Sequence, residues 1–174
     1  MNTVARMNLD TLNSASPATF IAALAGIYEH SPWVAEAVAA QRPFASVEAL
    51  AHAMAQAVAK AGEAAQMTLI RAHPQLAGKA AIAGELTESS TREQRGAGLD
   101  QCTPEEFARL TELNDAYQRT FGFPFILAVK GHTRDSILAN MAARLPHDIV
   151  SERAEALHQI DRIARFRLDA LLHL

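Results

Sequence analysis

Hydroxyl–proline pairs constrain this chain more than any other feature. Ser16-Pro17, Ser31-Pro32 and Thr103-Pro104 each set a side-chain acceptor before a residue that has no N–H to satisfy. The proline φ is also already suited to a first helical turn, so each pair predicts a helix start. Apolar residues follow at helical spacing: Phe20, Leu24 and Ile27 after the first pair, and Trp33, Val34, Ala37 and Val38 after the second, up to Arg42-Pro43. Ser46 caps a third helix with a stripe of Leu50, Met54, Ala57 and Val58, and Gly62 separates it from the next. Ala49, Ala53 and Ala57 read as close contacts between helices. Thr103-Pro104-Glu105-Glu106 adds a capping-box glutamate and opens a helix through Phe107, Leu110, Asn114 and Tyr117 to about Thr120. Thr133 or Asp135 opens another, with Ile137, Leu138, Met141 and Leu145 inside. The expected fold class is all-α, a single-domain bundle of about seven to nine helices over residues 16–174, behind a flexible tail of residues 1–15.

Phe121-Gly122-Phe123-Pro124-Phe125-Ile126-Leu127-Ala128-Val129 breaks that grammar. Its glycine, proline and β-branched residues predict an extended segment near Phe123–Val129. No second strand pattern exists to pair with it, so its amides must meet loops and water or point at a ligand. An apolar extended segment can equally be a plain crossing of the core.

A second anomaly is Arg71-Ala72-His73-Pro74. Proline disfavours helix in the residue before it, so the run Met67-Thr68-Leu69-Ile70 ends as helix near His73. An imidazole at a helix end can present one ring face to a ligand and exchange a proton near neutral pH. Residues 75–86, with Gly78 and Gly84, read as a loop or short irregular helix closing over this point. Beyond it, Ser90, Glu93 and Gln94 stand at i, i+3 and i+4, which gathers hydroxyl, carboxylate and amide on one helix face. The plainer alternative is a helix terminator followed by a capping box and a solvated face. Gly96-Ala97-Gly98 should end that helix.

The last helix, from about Ser151, gathers Leu157, Ile160, Ile163, Ala164, Leu168 and Leu171 on one side at roughly 100° per residue. Arg167 falls on that apolar side, whereas Arg162 and Arg165 project away as solvated charges. A buried guanidinium needs an anion, either a structural Glu or Asp or an anionic substrate.

Composition removes several function classes. The 174-residue chain has a formal charge of −3 and no block of lysine or arginine, which excludes the electrostatic footprint of a nucleic-acid binder. Cys102 is the sole cysteine, so no internal disulfide forms, and a reducing compartment fits. No signal-peptide pattern occupies Met1 to Asn13 and no apolar run is long enough to span a bilayer, so a soluble cytoplasmic protein is expected. The terminal Leu172-His173-Leu174 lacks the small residue of a peroxisomal address. Seven scattered histidines at no helical ligand spacing, and no phosphate-cradling glycine loop, argue against metals and nucleotide cofactors.

His73-Pro74-Gln75-Leu76, Glu85-Leu86-Thr87, Ser90-x-x-Glu93-Gln94, Ala97-Gly98-Leu99, Leu113-Asn114-x-Ala116-Tyr117, Phe121-Gly122-Phe123-Pro124-Phe125 and Arg167-Leu168 lie in a specific order. Together they resemble the 2-oxo-4-hydroxy-4-carboxy-5-ureidoimidazoline (OHCU) decarboxylase family, over nearly the whole chain from about Phe20. Gln75 stands where that family commonly shows aspartate or another polar residue. The resemblance implies a cofactor-independent, all-helical, homodimeric enzyme that takes a small-molecule substrate, OHCU, to (S)-allantoin in urate degradation. It implies His73 as catalytic acid/base with Glu93 as its partner. Ser90, Gln94 and the main chain of Pro74 would hold ureido and ring groups, while Arg167 and the amides around Phe125 and Ile126 would bind anionic or carbonyl oxygens. Two competitors remain: a catalytically silent helical interaction module, and a lyase or hydrolase acting on a related ureido or imidazole acid.

Overall fold

The computed structural model describes residues 7–174. Among them are ten α-helices, two short 3-10 turns and no strand. The helices are α1 (Leu9–Ser14), α2 (Pro17–Leu24), α3 (Trp33–Val38), α4 (Val47–Lys60), α5 (Glu63–Ala72), α6 (Lys79–Ile82), α7 (Glu88–Gly96), α8 (Pro104–Phe121), α9 (Arg134–Arg144) and α10 (Ile149–Leu172). The all-α class holds, with more and shorter helices than periodicity suggests. The described residues divide into two compact units, one of residues up to 69 and 161–174 and one of residues 70–160, with the boundaries inside α5 and α10. No helix among the described residues is long and apolar enough to cross a membrane.

Most helix starts follow the predicted caps. Ser16 Oγ accepts the Thr19 N–H at 3.1 Å and Ser46 Oγ accepts the Ala49 N–H at 3.1 Å. Thr103 and Glu106 close a full capping box, at 3.1 and 2.9 Å. Thr133 opens α9 through a reciprocal pair with Ser136. Ser31 departs from the pattern: its hydroxyl turns back to donate to the Glu29 carbonyl at 2.8 Å, and α3 begins without a side-chain cap.

In the first unit, residues 9–14 form a helix where the sequence suggests a tail; the same expectation for residues 1–6 lies outside the described residues. Asn8 caps it, Leu12 is buried, and the Asn13 amide exchanges two hydrogen bonds with the Phe44 main chain, at 2.9 and 2.8 Å. Helix α4 buries Leu50, Met54 and Val58. Ala49, Ala53 and Ala57 each sit one position earlier, roughly 100° round the helix. They are half-buried and line an open groove of about 650 Å³ with Ala37 and Phe44, rather than a closed helix contact. On α10, Leu172 is buried where Leu171 was expected, and Leu171 is half-buried. Arg165 is not a solvated charge but bridges Glu48 at 2.7 Å and Asp169 at 2.8 Å.

The second unit is organised around the irregular segment after α8. Gly122 ends that helix at φ +74°, a conformation only glycine adopts without steric cost, and its N–H bonds the Gln118 carbonyl at 2.9 Å. Residues 123–129 then run buried, in neither helix nor strand. Phe121, Phe123 and Phe125 pack on Tyr117 with ring centroids at 4.5, 5.9 and 5.4 Å.

Side chains from α9 and α10 replace the missing ladder. Arg144 Nη1 donates to the Ile126 carbonyl at 2.7 Å, and Gln159 Oε1 accepts the Ala128 N–H at 3.0 Å. Arg144 also grips Glu152 through Nε at 3.0 Å and Nη2 at 2.8 Å, while its guanidinium lies 4.4 Å from the Phe125 ring centre. Tyr117 donates its hydroxyl to the same carboxylate, and His147 Nδ1 lies 2.9 Å from it. Burial pushes the Glu152 carboxyl upward, but the bonds from Arg144 and Tyr117 and the guanidinium charge outweigh it and hold the group below the usual carboxylate range. Burial and the bond to Glu152 push the Tyr117 phenol well above its ordinary value.

Two stability measurements follow. Thr103→Ala removes the cap acceptor of α8 and should cost about 1 kcal/mol, seen as a lower urea midpoint at unchanged slope. Glu152→Gln strips Arg144 of its counter-charge and should cost on the order of 3 kcal/mol at pH 7. Because the Glu152 pKa is depressed by folding, its contribution is full above the unfolded carboxyl value and is lost as pH falls through the lower folded value. The gap between the two proteins should therefore close below about pH 4. A gap that stays constant with pH would remove the carboxylate charge as its source.

Candidate active site

Helix α5 ends at Ala72, and His73 follows it with its main-chain N–H on the Ile70 carbonyl at 3.2 Å. The residue is only 8% exposed, so the proline after it terminates a helix at a buried imidazole. The chain then turns tightly. Ala77 takes a left-handed φ of +50°, and a Cβ on Gly78 would come within 2.8 Å of Gln75 Cβ.

A non-glycine residue in that conformation costs about 1 kcal/mol and persists only when its surroundings hold it. Here they do. Gln94 Oε1 accepts the Ala77 N–H at 2.9 Å, and its Nε2 donates to the Gln75 carbonyl at 3.2 Å. Asn114 Nδ2 donates to the Leu76 carbonyl between them at 2.9 Å. The loop carrying His73 is thus tied at three successive residues to α7 and α8.

Helix α7 is capped by Thr87, whose hydroxyl accepts the Ser90 N–H at 3.2 Å. Ser90 is therefore not the cap of a Ser-x-x-Glu box but a buried residue of the first turn, 4% exposed. Gln94, one turn on, is buried on the same face, and Glu93 beside it is half-buried. The structure brings the His73-Pro74 loop and this face together through Gln94. An amide oxygen and nitrogen each keep capacity beyond one bond, so the clamp does not exhaust Gln94.

Phe125 and Ile126 lie in the same unit, 1% and 3% exposed. Among the described residues, no acceptor meets the main-chain N–H of either one. Arg167 belongs to the other unit. There its Nη1 lies 2.8 Å from Glu29 Oε2 and 3.1 Å from the Gly26 carbonyl, so a structural carboxylate accompanies the buried guanidinium. Of the two partners open to it from the sequence, the acidic side chain is present.

Sequence reasoning missed Glu29, the Arg144–Glu152 pair and Gln159. It saw Asn114 as a helix position and as part of a family-like motif, without its bond to the Leu76 carbonyl. The signal available was polar residues at positions where their helices carry an apolar stripe, as with Arg167. Among the described residues, no group of three His, Cys, Asp or Glu side chains could hold a metal ion. The chemistry on offer is proton transfer by an imidazole, with a hydroxyl, a carboxylate and an amide on the neighbouring helix and main-chain donors in the same unit.

Comparison with known proteins bears on what that chemistry serves. The OHCU decarboxylase family model matches residues 13–169. The chain is 39% identical to the 2-oxo-4-hydroxy-4-carboxy-5-ureidoimidazoline decarboxylase of Halalkalicoccus jeotgali, covering 95% of this chain and 92% of that one. It is 42% identical to the uric acid degradation bifunctional protein PucL of Bacillus subtilis, over 92% of this chain and 32% of that longer one. It also resembles the crystal structure of (S)-allantoin synthase, with a TM-score of 0.77 and 32% identity, covering 95% of this chain and 54% of that one. Matched from Asn13 to Asp169, the chain belongs to the OHCU decarboxylase family.

Proposed function

We propose that this protein decarboxylates OHCU to (S)-allantoin and carbon dioxide in urate degradation, without a cofactor. The observation that carries this reading is the buried His73 on a loop tied to the Ser90–Gln94 face of α7, in a chain of this family. In the reaction the bond from the ring carbon to the carboxylate breaks and its electron pair flows into the adjacent ring C=N. Carbon dioxide leaves, and a proton is added to the ring. The C=N is itself the electron sink.

His73 is the acid/base, with Glu93 as its carboxylate partner. Ser90, Gln94 and the Pro74 main chain hold the ureido and ring groups. The N–H groups of Phe125 and Ile126 take carboxylate or carbonyl oxygens, a use supported by the lack of a protein acceptor at them among the described residues. Arg167, in its own unit, is an anion-binding residue in this reading. Holding the ring in one pose restricts protonation to one face, which sets the S configuration. The same reading includes a homodimer in the cytoplasm, supported by the family resemblance and by the single cysteine, and light scattering of the purified protein checks the dimer.

The test is ultraviolet circular dichroism while urate is oxidised and hydrolysed by the two preceding enzymes, with and without this protein. Rapid growth of the (S)-allantoin signal is expected. A signal that rises and decays at the uncatalysed rate toward racemate sinks the proposal and brings forward a silent interaction module or a related ureido-acid substrate. His73→Ala and Glu93→Ala should each lower kcat by about 10²-fold or more, the size of a lost acid/base group. Full turnover in either variant would remove that residue from its role. Arg167→Lys should raise KM more than it lowers kcat, because an ammonium cannot make the two-pronged contact with a carboxylate.

A further inference from the structure

We propose that Arg144 and Gln159 are positioning residues for the reaction, acting through the irregular segment 123–129 and not on substrate; this rests on the function proposed above. That segment has no strand beside it, so no ladder sets the planes of its peptide groups. Two side chains fix the 126–127 and 127–128 peptide groups instead, directly after the peptides that carry the Phe125 and Ile126 N–H groups. Arg144 takes the Ile126 carbonyl at 2.7 Å, and Gln159 takes the Ala128 N–H at 3.0 Å, two residues further on. The guanidinium also lies over the Phe125 ring at 4.4 Å. Held at one residue by ring stacking, at the next by its carbonyl and at Ala128 by its amide, the stretch has little freedom to rotate.

Of the N–H groups in the stretch only that of Ala128 meets an acceptor among the described residues; those of Phe125 and Ile126, the two the proposed function uses, are among the donors left over. Donors of this kind stabilise developing charge only if they are already aimed, since reorienting them during the reaction forfeits the gain. Both anchors are themselves held. Glu152 and Tyr117 fix Arg144, and Glu155 accepts from Gln159 Nε2 at 2.7 Å. Glu152, Glu155 and Gln159 stand at i, i+3 and i+7 on α10, one face of one helix turned to one task. No residue in this set was assigned a ligand by sequence.

Arg144→Lys keeps a cation beside Glu152 but cannot hold the carboxylate in two prongs and the Ile126 carbonyl together. Gln159→Met removes the acceptor from Ala128 at similar volume and leaves the Arg144–Glu152 pair intact, so it carries the test if the first variant fails to fold. Each full-length variant, once far-ultraviolet circular dichroism shows native helix content, is assayed for kcat and KM. Hydrogen–deuterium exchange is then followed for peptides covering 123–129, α7 and α8. The expected result is a fall in kcat of about tenfold or more, KM changing less, with faster exchange confined to 123–129. Wild-type kcat with unchanged exchange would overturn the proposal. So would a uniform rise in exchange at full kcat per folded molecule, which marks a residue that only stabilises. An inactive wild type sinks the function itself; the exchange readout then stands alone, local acceleration supporting the pinning and uniform exchange overturning it.

Discussion

A guanidinium and a carboxylate withdrawn from water hold the second unit together along a stretch where its helices give way. Burying the Arg144–Glu152 pair costs the solvation of both ions, and a bare pair would not recover it. This one is not bare. The carboxylate is met by Arg144, Tyr117 and His147, and the guanidinium by the carboxylate, the Ile126 carbonyl and the Phe125 ring. An apolar replacement could restore packing, but it would leave the Ile126 carbonyl buried without a donor. The pair thus does conformational work that burial of apolar area does not.

The same logic recurs at the loop after His73. Helices satisfy their own backbone, so their inward polar side chains can serve a neighbouring irregular segment. Gln94 and Asn114 do this for residues 75–77, as Arg144 and Gln159 do for Ile126 and Ala128. Both irregular segments carry groups of the proposed chemistry, an imidazole in one and two main-chain donors in the other. Rigid helices that lend side chains to irregular backbone are a route to fixed geometry without a sheet. The left-handed Ala77 shows the cost: a strained turn persists because three hydrogen bonds on successive residues hold it.

Local chemistry made the helix starts legible. Ser16, Ser46, Thr103 and Thr133 cap as their sequences imply, because an N-cap bond spans three residues and needs nothing from the rest of the chain. The end of α5 at His73-Pro74, the break at Gly122 and the strandless course of 123–129 were legible for the same reason. Even the need of Arg167 for an anion could be read from its place among Ile160, Ile163 and Leu168.

What lay beyond the sequence was every identity decided by a partner distant in the chain. That Glu29 stands beside Arg167 and that Gln94 clamps residues 75 and 77 depend on the packed chain. Local spacing gives such residues no distinguishing mark. The irregular segment shows the division most plainly. Its composition determined that no ladder would form and left two outcomes, loops with water or a ligand. Packing supplied a further one, side chains from α9 and α10, because a buried carbonyl takes whichever donor the tertiary structure brings within reach, and only the folded chain brings Arg144 there.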